Sequence, residues 1–318
     1  MKRAIAALWL FILIAPAALR ATPLLELERE FRAGRMNLST FLVARTFLAL
    51  SPGRLAGTPF ASLAESGRPV RWGAVFIRDV STNYDLLDES ARSALSFAVM
   101  RPTKIGGGID GKRHILPQLY STAHFMFHWT TGSDGGKAAD APPLADADAS
   151  GVPDYIEQFA SFFEQSWQII VGARGFLPPP SDASVPNDSY NGNPDGRYDV
   201  FVYDMTVYGY TEADTSSRVT SSFIGVDNDY TGFPSPRTEA MQVTAAHEFC
   251  HACQFAYDAG EDAWWMEVTS TWMESEVFPE ADDNFQYLPA WFSTSDTLGL
   301  TVFNGSHEYG SFLWAVRL

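Results

Sequence analysis

In the stretch TAAHEFCHACQFAYDAGEDAWWMEVTSTWME, residues 244–274, His247, Glu248 and His251 spell HExxH. On an α-helix, side chains at i and i+4 share one face with Cβ atoms about 5–6 Å apart, so two imidazoles at this spacing can hold one ion. Zinc takes nitrogen and oxygen ligands in a tetrahedron and leaves one position to water where it is catalytic. A glutamate directly after the first histidine is then placed to act as general base. The bland alternative is a helix with ordinary polar residues; with six histidines in 318 residues, that spacing is a rare accident. A third ligand must come from elsewhere. After the 258–262 turn, AWWMEVTSTWMESEVF predicts a second helix with Glu267, Thr271 and Glu274 on one face. Folding about Gly260 brings both glutamates level with the histidines, and spacing alone does not choose between them.

A second cation site is legible in DADASGVPDYIE. Asp146, Asp148 and Ser150 stand at positions 1, 3 and 5 of a calcium loop, Gly151 at 6, the Val152 carbonyl at 7, Asp154 at 9 and Glu157 at 12. Gly permits the sharp turn, and carboxylate and carbonyl oxygens suit a hard cation. A strand and a Gly/Ala-rich stretch precede the loop, so the expectation is a single structural Ca2+ site and not a paired sensor.

The elements that must position these groups follow from pattern and punctuation. Residues 23–50 have helical periodicity broken at Gly34, with Asn37 or Ser39 as cap, predicting two short helices. A strand is expected at VRWGAVFI (70–77), a helix near 86–98 and a turn at IGGGIDGKR. Further on, strands are expected at HFMFHWTT, RYDVFVYDM and VTSSFIGVDNDY. Between the first two of these lies a helix bearing Ile156, Phe159, Phe162, Phe163 and Trp167, followed by a Pro/Gly-rich loop. Strands followed by long helices predict an α+β fold. Cys250 and Cys253, the only cysteines, fall inside the HExxH helix in phase with Val243 and Ala246 and read as buried small hydrophobes.

Composition bounds the partners. With 22 Lys+Arg against 38 Asp+Glu and a formal charge of -16, the chain is unsuited to nucleic acid or an anionic membrane surface, and bound cations are its natural counterpart. Lys2 and Arg3, the apolar run 4–15 and the small residues after it predict a secretory signal peptide over 1–21, hence a secreted protein. Residues 22–118 then form an N-terminal region, a propeptide or a structural subdomain, and 119–318 the domain that carries the chemistry.

MEVTSTWME resembles the second glutamate motif of the gluzincin clan of zinc metallopeptidases. The ordered set HFMFHWTTGSD, DADASGVPDYIE, RYDVFVYDM, DNDY, AAHEFCHACQFAYD, WWMEVTSTWMESEV and HEYGSFLW is similar to a family of secreted bacterial metalloproteases known mainly from genome sequences. The resemblance covers about two thirds of the chain and implies a zincin-like fold. It also implies Glu267 as the third zinc ligand, Glu274 as a carboxylate orienting His247, and Tyr309 or His307 as the donor to the oxyanion. The implied activity is hydrolysis of a protein or peptide substrate by metal-activated water, with Glu248 as general base. The rival reading is a catalytically silent, calcium-stabilised surface or adhesion module. SSFIGV, shortly before the HExxH helix, is the expected edge strand for extended substrate. The resemblance implies that the family pattern continues beyond YGSFLWAVRL, so a C-terminally truncated domain is expected.

Overall fold

A computed structural model describes residues 23–66, 73–183 and 196–317; the expected signal peptide and part of the Pro/Gly-rich loop lie outside them. The first helices are α1 (Pro23–Arg32) and α2 (Leu38–Leu50). Gly34 separates them at φ 69°, where a side chain is disfavoured. Asn37 then caps α2, its side chain accepting from Thr40 N at 2.8 Å. Three more helices follow, α3 (Ala61–Ser66), α4 (Ala74–Asn83) and α5 (Glu89–Ala94).

Two expectations fail here. Residues 74–77 of the expected 70–77 strand begin α4, and 70–72 lie outside the described residues. An apolar run this short fits a buried helix face as well as a strand, and Phe76, Ile77 and Val80 are buried on one side of α4. The helix expected near 86–98 is α5 flanked by two 3-10 turns, Tyr84–Leu86 and Ser96–Val99. Asp88 starts α5 afresh by accepting from Ala91 N at 2.9 Å.

The strands are β1 (Gln118–Ser121), β2 (Phe125–Trp129), β3 (Tyr198–Val202), β4 (Gly209–Ala213) and β5 (Ser222–Val226), in the order β1-β2-β3-β5-β4. The pairs β2–β3 and β3–β5 are parallel, while β1 and β4 run antiparallel to their neighbours. The chain is therefore α+β with a mixed sheet. SSFIGV, expected at an edge, is instead the interior strand β5, paired on both sides. The outer strand on that side is β4, whose sequence GYTEA carries a Gly, a Thr and a Glu and gives no apolar signal.

Side chains alternate across β3, and both faces are covered. Val200 and Val202, with Phe125, Phe127, Ile224 and Val226, pack against α6 (Asp154–Trp167) and α7 (Arg237–Gln254). Phe201 and Tyr203, with Tyr210 and Phe223, share a cluster with Phe41, Leu48 and Phe76 of the N-terminal helices. The N-terminal region thus supplies one of the two layers that bury the sheet. Arg101 fastens it there: 4% exposed, the guanidinium is ion-paired with Asp199, with Asp182 at 2.9 Å and with Asp214 at 3.0 Å.

Candidate metal centre

Helix α7 is buried over nearly its whole girth, with every residue from Val243 to Cys253 in the interior, both cysteines included. It ends at Gln254, before the 258–262 turn, and Phe255 N closes its last turn on His251 O at 3.0 Å. A turn then leads to α8 (Ala263–Val277), started by Asp262, whose carboxylate accepts from Trp264 N at 2.9 Å. The two helices pack together, with Glu267, Thr271 and Glu274 of α8 all buried. Polar groups buried on both helices cost free energy unless they are partnered, and their partners define the site.

His247 Nε2 lies 3.1 Å from His251 Nε2 and 3.1 Å from Glu267 Oε2. His251 Nε2 lies 3.4 Å from Glu267 Oε1. Four ligands on tetrahedral zinc with bonds of about 2.0–2.1 Å stand about 3.3 Å apart, so the trio has the mutual spacing that such an ion needs. The other ring nitrogens are committed. His247 Nδ1 faces Glu274 Oε1 at 2.8 Å, and His251 Nδ1 faces Gln254 Oε1 at 2.8 Å. The Gln254 amide is oriented by its Nε2, which donates to the Met266 carbonyl at 3.1 Å and to Thr269 Oγ1 at 2.9 Å. Its oxygen must then accept from His251, leaving Nε2 as the lone-pair nitrogen of both neutral rings. Gln254 escaped sequence reading, although its place three residues after His251 is the signal that could have found it.

Charge follows the same arrangement. Burial works to raise the Glu267 carboxyl, but His251 and His247 beside it hold it down at about 2. Burial opposes charging of His251, and Glu267 reverses that and raises its pKa.

Glu248 lies on the same helix, fully buried, and burial pushes its carboxyl up to about 8. Its Oε2 is 2.7 Å from the hydroxyl of Thr211 in β4, which also reaches the Glu248 main-chain carbonyl at 2.9 Å. Its Oε1 has no hydrogen-bond partner. Gly209 lets β4 lie this close: a Cβ there would stand 2.9 Å from Thr244 Cγ2 and 3.1 Å from Glu248 Cγ. Thr211 was not singled out in the sequence, because β4 itself was not.

The short helix His307–Gly310 separates the two oxyanion candidates. Tyr309 is fully buried, its ring centroid 6.5 Å from that of His247, and its hydroxyl has no partner. Burial raises its pKa well above the usual phenol value, with Glu267 adding to the effect. His307 instead stacks on Trp291 at 6.2 Å, its Nδ1 unpartnered. Of the two, Tyr309 is the one whose ring contacts His247 of the trio.

No protein-family model, curated protein or solved structure matches the chain. The site's own geometry therefore carries the functional argument.

The acidic loop is the second group of possible metal ligands among the described residues: one oxygen each from Asp146, Asp148 and Asp154 lie within 4.8 Å of one another. Ser150 N donates to Asp146 and to Asp148 at 3.0 Å each, and Gly151 N to Asp146 at 3.0 Å. Gly151 takes φ 87° and Ala149 φ 58°, so the loop turns as a calcium template requires at its Gly. Ser150 Oγ donates to the Val152 carbonyl at 3.2 Å. Glu157 sits in the first turn of α6 and is not one of the three clustered carboxylates.

Proposed function

We propose that the chain is a secreted zinc-dependent endopeptidase of zincin-like, gluzincin type, stabilised by structural calcium in the 146–157 loop. The observation that carries this reading is the convergence of His247 Nε2 and His251 Nε2, 3.1 Å apart, on the Glu267 carboxylate, whose Oε2 lies 3.1 Å from the first and Oε1 3.4 Å from the second, with the Glu248 carboxylate beside them. Two imidazoles and one carboxylate are the donor set of a hydrolytic zinc site with one open position.

His247, His251 and Glu267 would hold a zinc ion, which would supply an acidified water and a polarised scissile carbonyl. Glu248 accepts the proton released from the attacking water and delivers it to the leaving amine. Glu274 and Gln254 fix the tautomers that turn both Nε2 lone pairs inward. Tyr309, its hydroxyl free of other partners, donates to the oxygen on which negative charge develops. Strand β4 is the outer strand beside Glu248 and the one to which an extended peptide adds. The ligands and Glu248 are at most 1% exposed, so substrate reaches them only when the covering segments part. That complete burial also favours the second reading, a silent calcium-stabilised surface module that retains the helix.

The two separate in an assay of casein hydrolysis by the protein loaded with zinc, stripped with a chelator and reloaded. Hydrolysis that disappears and returns with zinc supports the peptidase. A protein that holds zinc tightly and cleaves nothing, before or after reloading, is the silent module.

A further inference from the structure

The two carboxylate oxygens of Glu248 have different surroundings. Oε2 is held by the Thr211 hydroxyl at 2.7 Å, whereas Oε1 is buried without a hydrogen-bond partner. The rest of the side chain is confined by packing, because its Cγ lies under β4 where Gly209 leaves room. Packing at Cγ does not set the plane of the carboxylate, since the last torsion of a glutamate is broad and close to two-fold. A hydrogen bond to one oxygen sets it.

Thr211 is suited to that task. It is the middle residue of β4, in register with Ile224 of β5, and is fully buried, so no water competes for its hydroxyl. Its β-branched χ1 is stiff, and its single hydroxyl proton is shared between Oε2 at 2.7 Å and the main-chain carbonyl of Glu248 at 2.9 Å. We infer that Thr211 is the positioning residue of the general base: it holds Oε2 and thereby presents Oε1 as the oxygen that takes the proton. This rests on the peptidase reading. It also makes the base's orientation depend on the outer strand, so a peptide that adds to β4 acts on the strand that orients Glu248.

The test compares Thr211→Val, which keeps the shape and removes the hydroxyl, with Thr211→Ser, which keeps the hydroxyl. Casein-peptide kinetics, zinc content and a crystal structure of each zinc-loaded variant are measured, with Glu248→Gln alongside. A misaimed base costs roughly 10- to 100-fold in rate. Thr211→Val is therefore expected to lose about that factor in kcat with KM and zinc content unchanged, to show the Glu248 carboxylate rotated, and to be rescued by Thr211→Ser. An unaltered kcat, or a loss that follows zinc content or that Ser does not rescue, overturns the proposal. If wild type shows no hydrolysis that depends on Glu248, the peptidase reading fails on its own account. The crystal structure then decides the positioning claim, which an unmoved carboxylate in Thr211→Val refutes.

Discussion

The Nε2 atoms of His247 and His251 stand 3.1 Å apart, although the other nitrogen of each ring is engaged, by Glu274 and by Gln254, both at 2.8 Å. Two neutral imidazoles so arranged point lone pairs at one another and at the Glu267 carboxylate. That repulsion is relieved by a proton, which Glu267 favours on His251, or by a metal ion, and an ion that binds the native chain alone stabilises it. Zinc at about a thousand times its Kd is expected to add about 4 kcal/mol, seen as a rise of several degrees in the melting temperature. His247→Ala and His251→Ala should abolish the rise. An unchanged melting temperature across a zinc titration would contradict the site.

The two orienting residues are expected to act on affinity. Loss of a group that orients a metal-binding histidine costs about 10- to 100-fold in metal affinity. Glu274→Gln and Gln254→Leu should each fall in that range in competition with a chromophoric chelator. Equal affinity in Gln254→Leu would show that His251 is oriented by something else, such as Ser270, whose hydroxyl lies 3.2 Å from the same Nδ1.

Gly209→Ala places a methyl group against Thr244 and Glu248. Overpacking of this kind costs about 1–3 kcal/mol, and the atoms that must yield are Thr244 Cγ2 and the Cγ carrying the base. The expected result is zinc affinity near wild type with hydrolysis sharply reduced. A variant as active as wild type would mean that β4 yields instead of Glu248.

How far the sequence revealed this site depended on how local each part was. HExxH is read within one helix, where i and i+4 must share a face, and the periodic run after the 258–262 turn disclosed α8. The resemblance singled out Glu267 over Glu274, and the structure places Glu267 against both Nε2 atoms and Glu274 on Nδ1 of His247. Thr211 and Gly209 stayed hidden because β4 is short and its Gly, Glu and Ala dilute the strand preference of Tyr and Thr. Its Tyr210 ring lies on Gly225 of β5, where a Cβ would stand 2.2 Å from Tyr210 Cε1, a non-local fit that no window along GYTEA contains. The position of β5 inside the sheet, and α4 in place of a strand, were hidden for the same reason: partners distant in sequence decide both.

Glu212, the next residue of β4, is 1% exposed and neither of its carboxylate oxygens has a hydrogen-bond partner. Burial raises its pKa well above the ordinary 4.5, and Asp214 adds to that. The native chain therefore keeps a proton that the unfolded chain releases above about pH 4.5, so this group's stabilisation is full at low pH and is lost as pH rises towards the raised value. Glu212→Leu removes that dependence. Its stability relative to wild type should increase steadily from pH 5 to pH 8 in urea titrations, and parallel curves would contradict the assignment.

Calcium at the millimolar concentrations typical of extracellular modules is expected to protect the 144–153 loop from proteolysis, with EGTA reversing the protection. Asp146→Asn with Asp148→Asn should abolish it without altering zinc content. Cleavage indifferent to calcium would leave the loop an acidic turn.

The most direct measurement is hydrolysis by Glu248→Gln beside wild type at matched zinc content. The account predicts that the variant binds one zinc per chain, as wild type does, and loses casein hydrolysis by several orders of magnitude, since the substitution removes the base and leaves all three ligands in place. A variant that still hydrolyses casein at the wild-type rate would contradict it.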